Sequence, residues 1–171
     1  MSFLKQFVIP FKGLLDGHHE YEFHLDAQFF KEFEASPIHE SDLTANVKLN
    51  KHLDLMTVQL KLEGWVRETC DRCLAEINLP LTRTYDLVFK REEGESEDPD
   101  LILLSPDAHE FSLADILYEY ACLSVPLSKI YNCEKSKPKP CNEDVIKHIT
   151  KEIDIIESNP VWDVLKNIKN N

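Results

Sequence analysis

Glycine is scarce, with four residues in a chain of 171. Loops that cradle phosphate draw several glycines into a short stretch. None exists here, which excludes a P-loop or a dinucleotide fingerprint. Long apolar runs are missing too, and nothing approaches the ~18 residues that cross a bilayer. At the N-terminus Pro10 and Lys12 interrupt Phe7-Val8-Ile9 and no small-residue cleavage site follows, so no signal peptide is expected. Cations are in deficit. The 19 Lys and Arg face 31 Asp and Glu, a net charge of −12, which argues against generic nucleic-acid binding through a basic footprint. The chain also lacks His-Glu-x-x-His and any defensible Ser/His/Asp arrangement. Its seven histidines are scattered. His18 and His19, being adjacent, point to opposite faces of a strand, and His39, His52, His109 and His148 fall in expected loops or on polar faces. The acids from Glu92 to Asp100 lie in a solvated loop, where carboxylates make poor catalysts. No enzymatic activity is expected.

Hydrophobic residues make up 43% of the chain, enough for a real core in one domain, or one domain with an appended helical segment. Five cysteines without a secretory signal point to a reducing cytoplasm, with thiols free or metal-bound rather than in disulfides.

Alternation dominates the first half. Lys5–Phe11 reads as a short first strand, and Tyr21, Phe23 and Leu25 share a face of a second. A helical turn fits Ala27–Phe33. Leu43, Ala45, Val47 and Leu49 alternate, as do Met56, Val58, Leu60, Leu62 and Val66, then Ile77, Leu79 and Leu81, then Tyr85, Leu87 and Phe89. Arg91–Asp100 is acidic and without apolar residues, hence a loop. Leu101–Leu104 is a returning strand or a plug. Ser112 then caps a helix with the face Leu113, Ile116, Leu117, Tyr120 and Leu123, ended by Pro126. Asn142 caps another, striped by Val145, Ile146, Ile149, Ile153 and Ile156. Asn159-Pro160 starts a short terminal helix with Val161, Trp162, Leu165 and Ile168. The expected fold is α+β, a bent antiparallel β-meander or barrel-like sheet followed by a helical C-terminal half. Residues 1–126 hold the sheet and its packed helix, and 127–171 hold the basic cysteine-bearing loop and two helices, together one structural unit.

Cys70-Asp71-Arg72-Cys73-Leu74 lies at the tip of a hairpin between two alternating runs. Two thiolates on a tight turn supply half of a tetrahedral zinc site. A thioredoxin-like pair would precede a helix, and none starts here. Cys133 and Cys141 are the candidates for the other half, though seven residues separate them where knuckles have two to four. The alternatives are a closed Cys70, Cys73, Cys133, Cys141 site holding Zn2+ and loop cysteines with no metal. Cys122 reads as a small residue in a helix.

Charge is uneven. From Asp86 to Glu110 nine acids face Lys90 and Arg91, whereas Leu127–Lys151 carries six lysines against Glu134, Glu143 and Asp144. Arg72, Lys129, Lys135, Lys137 and Lys139 are the candidate contacts for RNA phosphate or an acidic partner, the alternative being a plain solvated surface. Trp162 on the terminal helix either docks a partner or packs on its own domain.

Three features in order resemble the YceD family, the large ribosomal RNA subunit accumulation proteins: the Cys70–Leu74 hairpin motif, the segment Phe111–Pro126, and Asn159-Pro160-Val161-Trp162 with Val164-Leu165. The resemblance runs from about Leu55 onward. It implies a bacterial, cytoplasmic, non-enzymatic factor in ribosome biogenesis that supports synthesis, processing or accumulation of 23S rRNA. Its partner would be rRNA itself or a ribosome-assembly or RNA-processing protein, with no membrane and no small-molecule substrate. Many members carry a richer cysteine set, often C-x-x-C, where this chain has Cys133 and Cys141. The rival readings are a thiol- or zinc-dependent protein-binding scaffold and a redox-sensing module, both unrelated to RNA.

Overall fold

Alternating burial builds a sheet, and the computed structural model, which describes residues 3–133 and 139–153, carries that pattern throughout. Strands β1 (Val8–Ile9), β2 (Gly17–Asp26), β3 (Ser41–His52), β4 (Leu55–Thr69), β5 (Glu76–Arg91), β6 (Leu101–Leu104) and β7 (Phe111–Ser112) are joined by helices α1 (Ala27–Lys31), α2 (Ala114–Ser124) and α3 (Glu143–Ile153). On β3, Leu43, Ala45, Val47 and Leu49 are buried, and on β4 Met56, Val58, Leu60, Leu62 and Val66, while their neighbours in sequence are mostly exposed or half-exposed. A period of two on a sheet with one covered face leaves only this register.

The five-stranded sheet has the order β2-β3-β4-β5-β6, and β1 and β7 form a separate two-stranded pair. β2 and β3 pair antiparallel from Gly17↔Lys51 to Asp26↔Asp42, and β3 and β4 from Ser41↔Val66 to His52↔Leu55. β6 runs parallel to β5 over Val88↔Leu101 to Arg91↔Leu104. Three expectations need correction. The sheet is open rather than barrel-like, because β2 and β6 are its two edges and do not pair. It is not a pure meander either, because the acidic loop after Arg91 carries the chain back so that β6 joins β5 in parallel. Lys5–Phe11 is also not one strand. Phe3–Phe7 and Phe11–Gly13 are 3-10 turns, and only Val8–Ile9 between them pairs, with Phe111–Ser112. Pro80 sits in β5 below the four residues that pair with β6, on a stretch with a free edge, where a missing N–H costs no ladder bond.

The chain forms two compact units. The first is Met1–Glu68 with Asn78–Ser128, and the second is Thr69–Ile77 with Lys129–Asn171. In the first, aromatic rings tie the helices to the sheet. Asp26 caps α1 by accepting from the Gln28 and Phe29 N–H groups, which seats Phe29 and Phe30 in the core. Tyr118 of α2 stacks on Phe33 at 4.0 Å, Tyr120 lies 4.5 Å from Tyr85 of β5, and Phe89 lies 4.6 Å from Phe111. Ser112 starts α2 by accepting from the Ala114 N–H. Leu113, Leu117, Tyr120 and Ala121 are buried, but Leu123, expected on the same face, is 71% exposed. At Gly64 (φ +142°) the β3 backbone comes so close that a Cβ would overlap the Asp42 carbonyl oxygen, and only glycine fits there.

The helical C-terminal half is seen in part, as α2 and α3. In α3, capped by Asn142 through the Val145 N–H at 3.4 Å, Val145 and Ile146 are half-buried and Ile149 is exposed. The expected helix from Pro160, with Trp162, lies outside the described residues, as do Ile156, Lys135 and Lys137.

Candidate functional site: a cysteine turn with clustered cations

The hairpin tip is closed by its own backbone. The Cys70 N–H donates to Ala75 O and the Leu74 N–H donates to Cys70 O, both at 2.9 Å. Leu74 takes a left-handed conformation (φ 56°) to make this possible. Asp71 then locks the turn to the segment that bears Cys133. Its N–H donates to Lys129 O at 3.0 Å, and its Oδ2 accepts from the Lys129 N–H at 2.6 Å.

Cys70 and Cys73 are free thiols with no solvent exposure, and Cys133 is 2% exposed. Burial alone would push the Cys70 thiol up. Backbone N–H groups of Tyr131, Arg72 and Cys73, with the Cys73 thiol, outweigh it, and the net shift is below the ordinary value. Cys133 and Cys141 differ from the expected free or metal-bound state, for their sulfurs are joined in a disulfide. Their Cα atoms lie 6.2 Å apart, inside the window a disulfide requires. Among the described residues, no three His, Cys, Asp or Glu side chains gather as a ready metal-binding set. Cys122 is half-buried on α2, its thiol raised chiefly by burial.

Of the candidate residues, the structure places Cys70, Cys73, Cys133, Cys141, Arg72, Lys129 and Lys139 in the second unit. Arg72 and Lys139 line one open cleft with Cys133, Cys141, Glu143 and Lys147, and Arg72 Nη2 approaches Cys141 Sγ at 3.9 Å. Lys129 serves the turn through its backbone. Two contributors escape a reading by composition. Lys147 joins the cleft because it lies one turn beyond Glu143 on α3, a spacing visible in the sequence. Asp71 is the residue between the cysteines that fixes the turn, and no sequence signal separates it from an ordinary surface acid.

The second unit carries nine Lys and Arg against nine Asp and Glu, so the entire −12 belongs to the first. The cleft gathers Arg72, Lys139 and Lys147 beside the Glu143 carboxylate, and Lys147 also pairs with Asp144 at 3.5 Å.

No curated protein and no solved structure matches this chain. The family model for the large ribosomal RNA subunit accumulation protein YceD matches residues 58–169, well over half of the chain. That span takes in most of β4, all of β5, the cysteine turn, α2, the lysine-rich segment and α3, so this chain belongs to the YceD family.

Proposed function

We propose that this protein is a non-catalytic accessory factor for 23S rRNA, supporting its synthesis, processing or accumulation in the bacterial cytoplasm, and that its second unit makes the RNA contact. The family's name supplies the role in large-subunit rRNA accumulation. The observation that carries the finer reading is the partition of charge, with Arg72, Lys139 and Lys147 on one cleft of an electrically balanced unit and the negative excess held by the other. Phosphate contacts position such a factor without reading bases. Lys129, Lys135 and Lys137, from the same lysine-rich stretch, extend the set.

The test is equilibrium binding to 23S rRNA fragments across a salt series. Contact through lysines releases counterions, so log K falls linearly with log salt. The variant Lys135→Ala with Lys137→Ala and Lys139→Ala should bind more weakly and lower that slope by about 2 to 3, at ~0.7–0.9 per phosphate lost. Binding that ignores salt, or ignores these substitutions, would refute direct RNA contact.

A second reading has its own observation. The first unit holds the whole −12, a surface complementary to a basic ribosomal or RNA-processing protein. Capture of such a protein by a variant with Lys135, Lys137 and Lys139 all changed to Ala, with RNA digested away, would favour it.

A further inference from the structure

We infer that the outer edge of β2 is a docking strip for an extended basic segment of another protein, which adds to the sheet as a further strand. The five-stranded sheet ends on β2 and on β6, and the two edges differ. β6 is four residues long, and the stretch of β5 left uncovered beside it carries Pro80. Short strands and proline are common means of blunting an edge. β2 has neither protection. It runs ten residues, Gly17–Asp26, without proline, lysine or arginine, and pairs with β3 residue for residue with no bulge. Alternate residues of such a strand turn their N–H and C=O groups away from the neighbour. Among the described residues no other strand and no loop backbone bonds to them.

The side chains say what fits the edge. On the packed face Tyr21 and Phe23 lie nearly parallel at 6.4 Å, and Phe23 meets the buried Phe7 at 5.4 Å. Tyr21 and Phe23 are nevertheless only half-buried, because the sheet stops beside them. On the open face stand His18, Glu20, Glu22 and His24, all exposed. β3 answers these acids weakly. Glu20 faces Lys48 at 3.7 Å, with both side chains largely exposed, and Glu22 lies opposite Asn46 with no ion pair among the described residues. The strip therefore presents aromatic rings on one face and two carboxylates on the other. Its complement is a strand in which apolar residues alternate with lysine or arginine, since opposite charges across a strand pair stabilise and like charges destabilise.

A second copy of β2 does not meet that description. Opposed residues in an antiparallel pair share a face, so β2 paired with itself about Tyr21 sets Glu20 against Glu22. Pairing about Glu20 or about Glu22 sets that residue against its own copy. Registers that slip far enough to avoid acid on acid lose much of the overlap. The wider charge acts in the same direction, for the unit that contains β2 holds the whole −12 of the chain. That field draws in a basic segment and repels both another copy and a nucleic acid. The inference stands apart from the RNA contact assigned to the second unit, and it gives the reading of a basic protein partner a location. It also lies outside the family match at residues 58–169.

The test uses the full-length chain and a synthetic peptide, matched to β2 in length, that alternates lysine with valine. N-methylation at each valine blocks one edge of the peptide, so it can pair with one neighbour and cannot stack into larger sheets. On binding, amide exchange read by NMR should slow at every second residue of β2 and leave the other edge, β6, unchanged. A peptide N-methylated at every residue keeps its charge but has no N–H to give, and should bind about tenfold more weakly or worse. The double variant Glu20→Lys with Glu22→Lys alters two exposed side chains and should lower affinity for the lysine peptide by about tenfold. It should then prefer a peptide with glutamate in place of lysine. A natural chain that treats the lysine and glutamate peptides alike, or shows no period-two protection on β2, overturns the inference without recourse to the variant. So does protection of the same amides by self-association of the chain or by a 23S rRNA fragment in place of the peptide. Capture of a basic protein that leaves the β2 amides unprotected would keep that class of partner and remove it from this edge.

Discussion

The two units hold themselves together in different ways. The first buries rows of aliphatic side chains on β3, β4 and β5 beneath Phe7, Phe11, Phe29, Phe30 and Phe89, and could lose any surface contact without losing its form. The second buries little beyond three cysteines and Ile77 among its described residues, and its turn is fixed by backbone and carboxylate hydrogen bonds and one disulfide. Stability by apolar area is spread over many residues and tolerant of chemistry. Stability by sulfur and a few polar contacts is concentrated and responds to redox state. The unit that carries the clustered cations is therefore the one whose form rests, among its described residues, on a few polar contacts and a disulfide.

The sharpest way to break the comparison is to damage the first unit where it has no slack. Gly64→Ala forces a Cβ into the Asp42 carbonyl at the β3–β4 register. Because neither strand can move without shifting its whole buried row, the loss should exceed about 4 kcal/mol, seen as failure to reach a cooperative urea transition. Phe89→Ala removes a buried β5 ring in contact with Phe111, and should cost about 3–5 kcal/mol in the same experiment. If either left the urea midpoint unchanged, the core as described would be wrong.

Reduction of Cys133–Cys141 in the presence of a chelator is the matching blow to the second unit. The two cysteines are eight positions apart, and closing so short a loop is worth about 2.5 kcal/mol. Amide exchange should accelerate at the Cys70–Ala75 turn and in α3, while β3 and α2 keep their protection. Uniform acceleration in both units would show a single cooperative block and end the distinction drawn here.

A smaller effect separates the units by pH. Tyr120 donates to Asp100 at 2.9 Å, and burial, reinforced by that carboxylate, pushes its phenol from 10 up to about 12. A raised pKa means the folded state keeps its proton where the unfolded chain has lost it. The contribution is therefore whole below pH 10 and disappears as pH rises toward about 12. Tyr120→Phe should cost about 1 kcal/mol at neutral pH through the lost hydrogen bond and should flatten the alkaline fall in stability. An alkaline limb identical in the variant would assign that fall to other groups.

These predictions also mark how far the sequence reaches. The alternation from Leu43 to Leu49 and from Met56 to Leu62 was enough to place β3 and β4, since a period of two has one meaning when one face is covered. The helix starts near Ser112 and Asn142 were equally legible, because each side chain accepts a local bond from the first turn, although the N-cap position of α2 falls on Leu113. The open, partly parallel sheet was not, because the direction of β6 is decided by a loop of acids with no pattern of its own. The first strand failed for a related reason. Pro10 and the burial of Phe7 and Phe11 favour tight 3-10 turns over a ladder, and a propensity reading of Lys5–Phe11 does not weigh tertiary burial. At the site, residue identity made Cys70 and Cys73 visible, but no spacing rule in the sequence pairs Cys133 with Cys141.

The smallest predicted effect tests a contact that no sequence signal announced. Asp71→Asn keeps the size of the side chain and can still accept through its amide oxygen, but the bond to the Lys129 N–H loses its charge assistance. Because the group is exposed, water recovers part of the loss, and the expected cost is below about 1 kcal/mol. Its value lies in where the cost falls. If the aspartate fixes the cysteine turn to the Cys133 segment, the variant should raise exchange at the Asp71 and Lys129 amides and leave the urea midpoint of the first unit untouched. Should those amides stay as protected as in the natural chain, the turn would be held by its backbone and sulfur contacts alone, and the second unit would be simpler than its hydrogen bonds suggest.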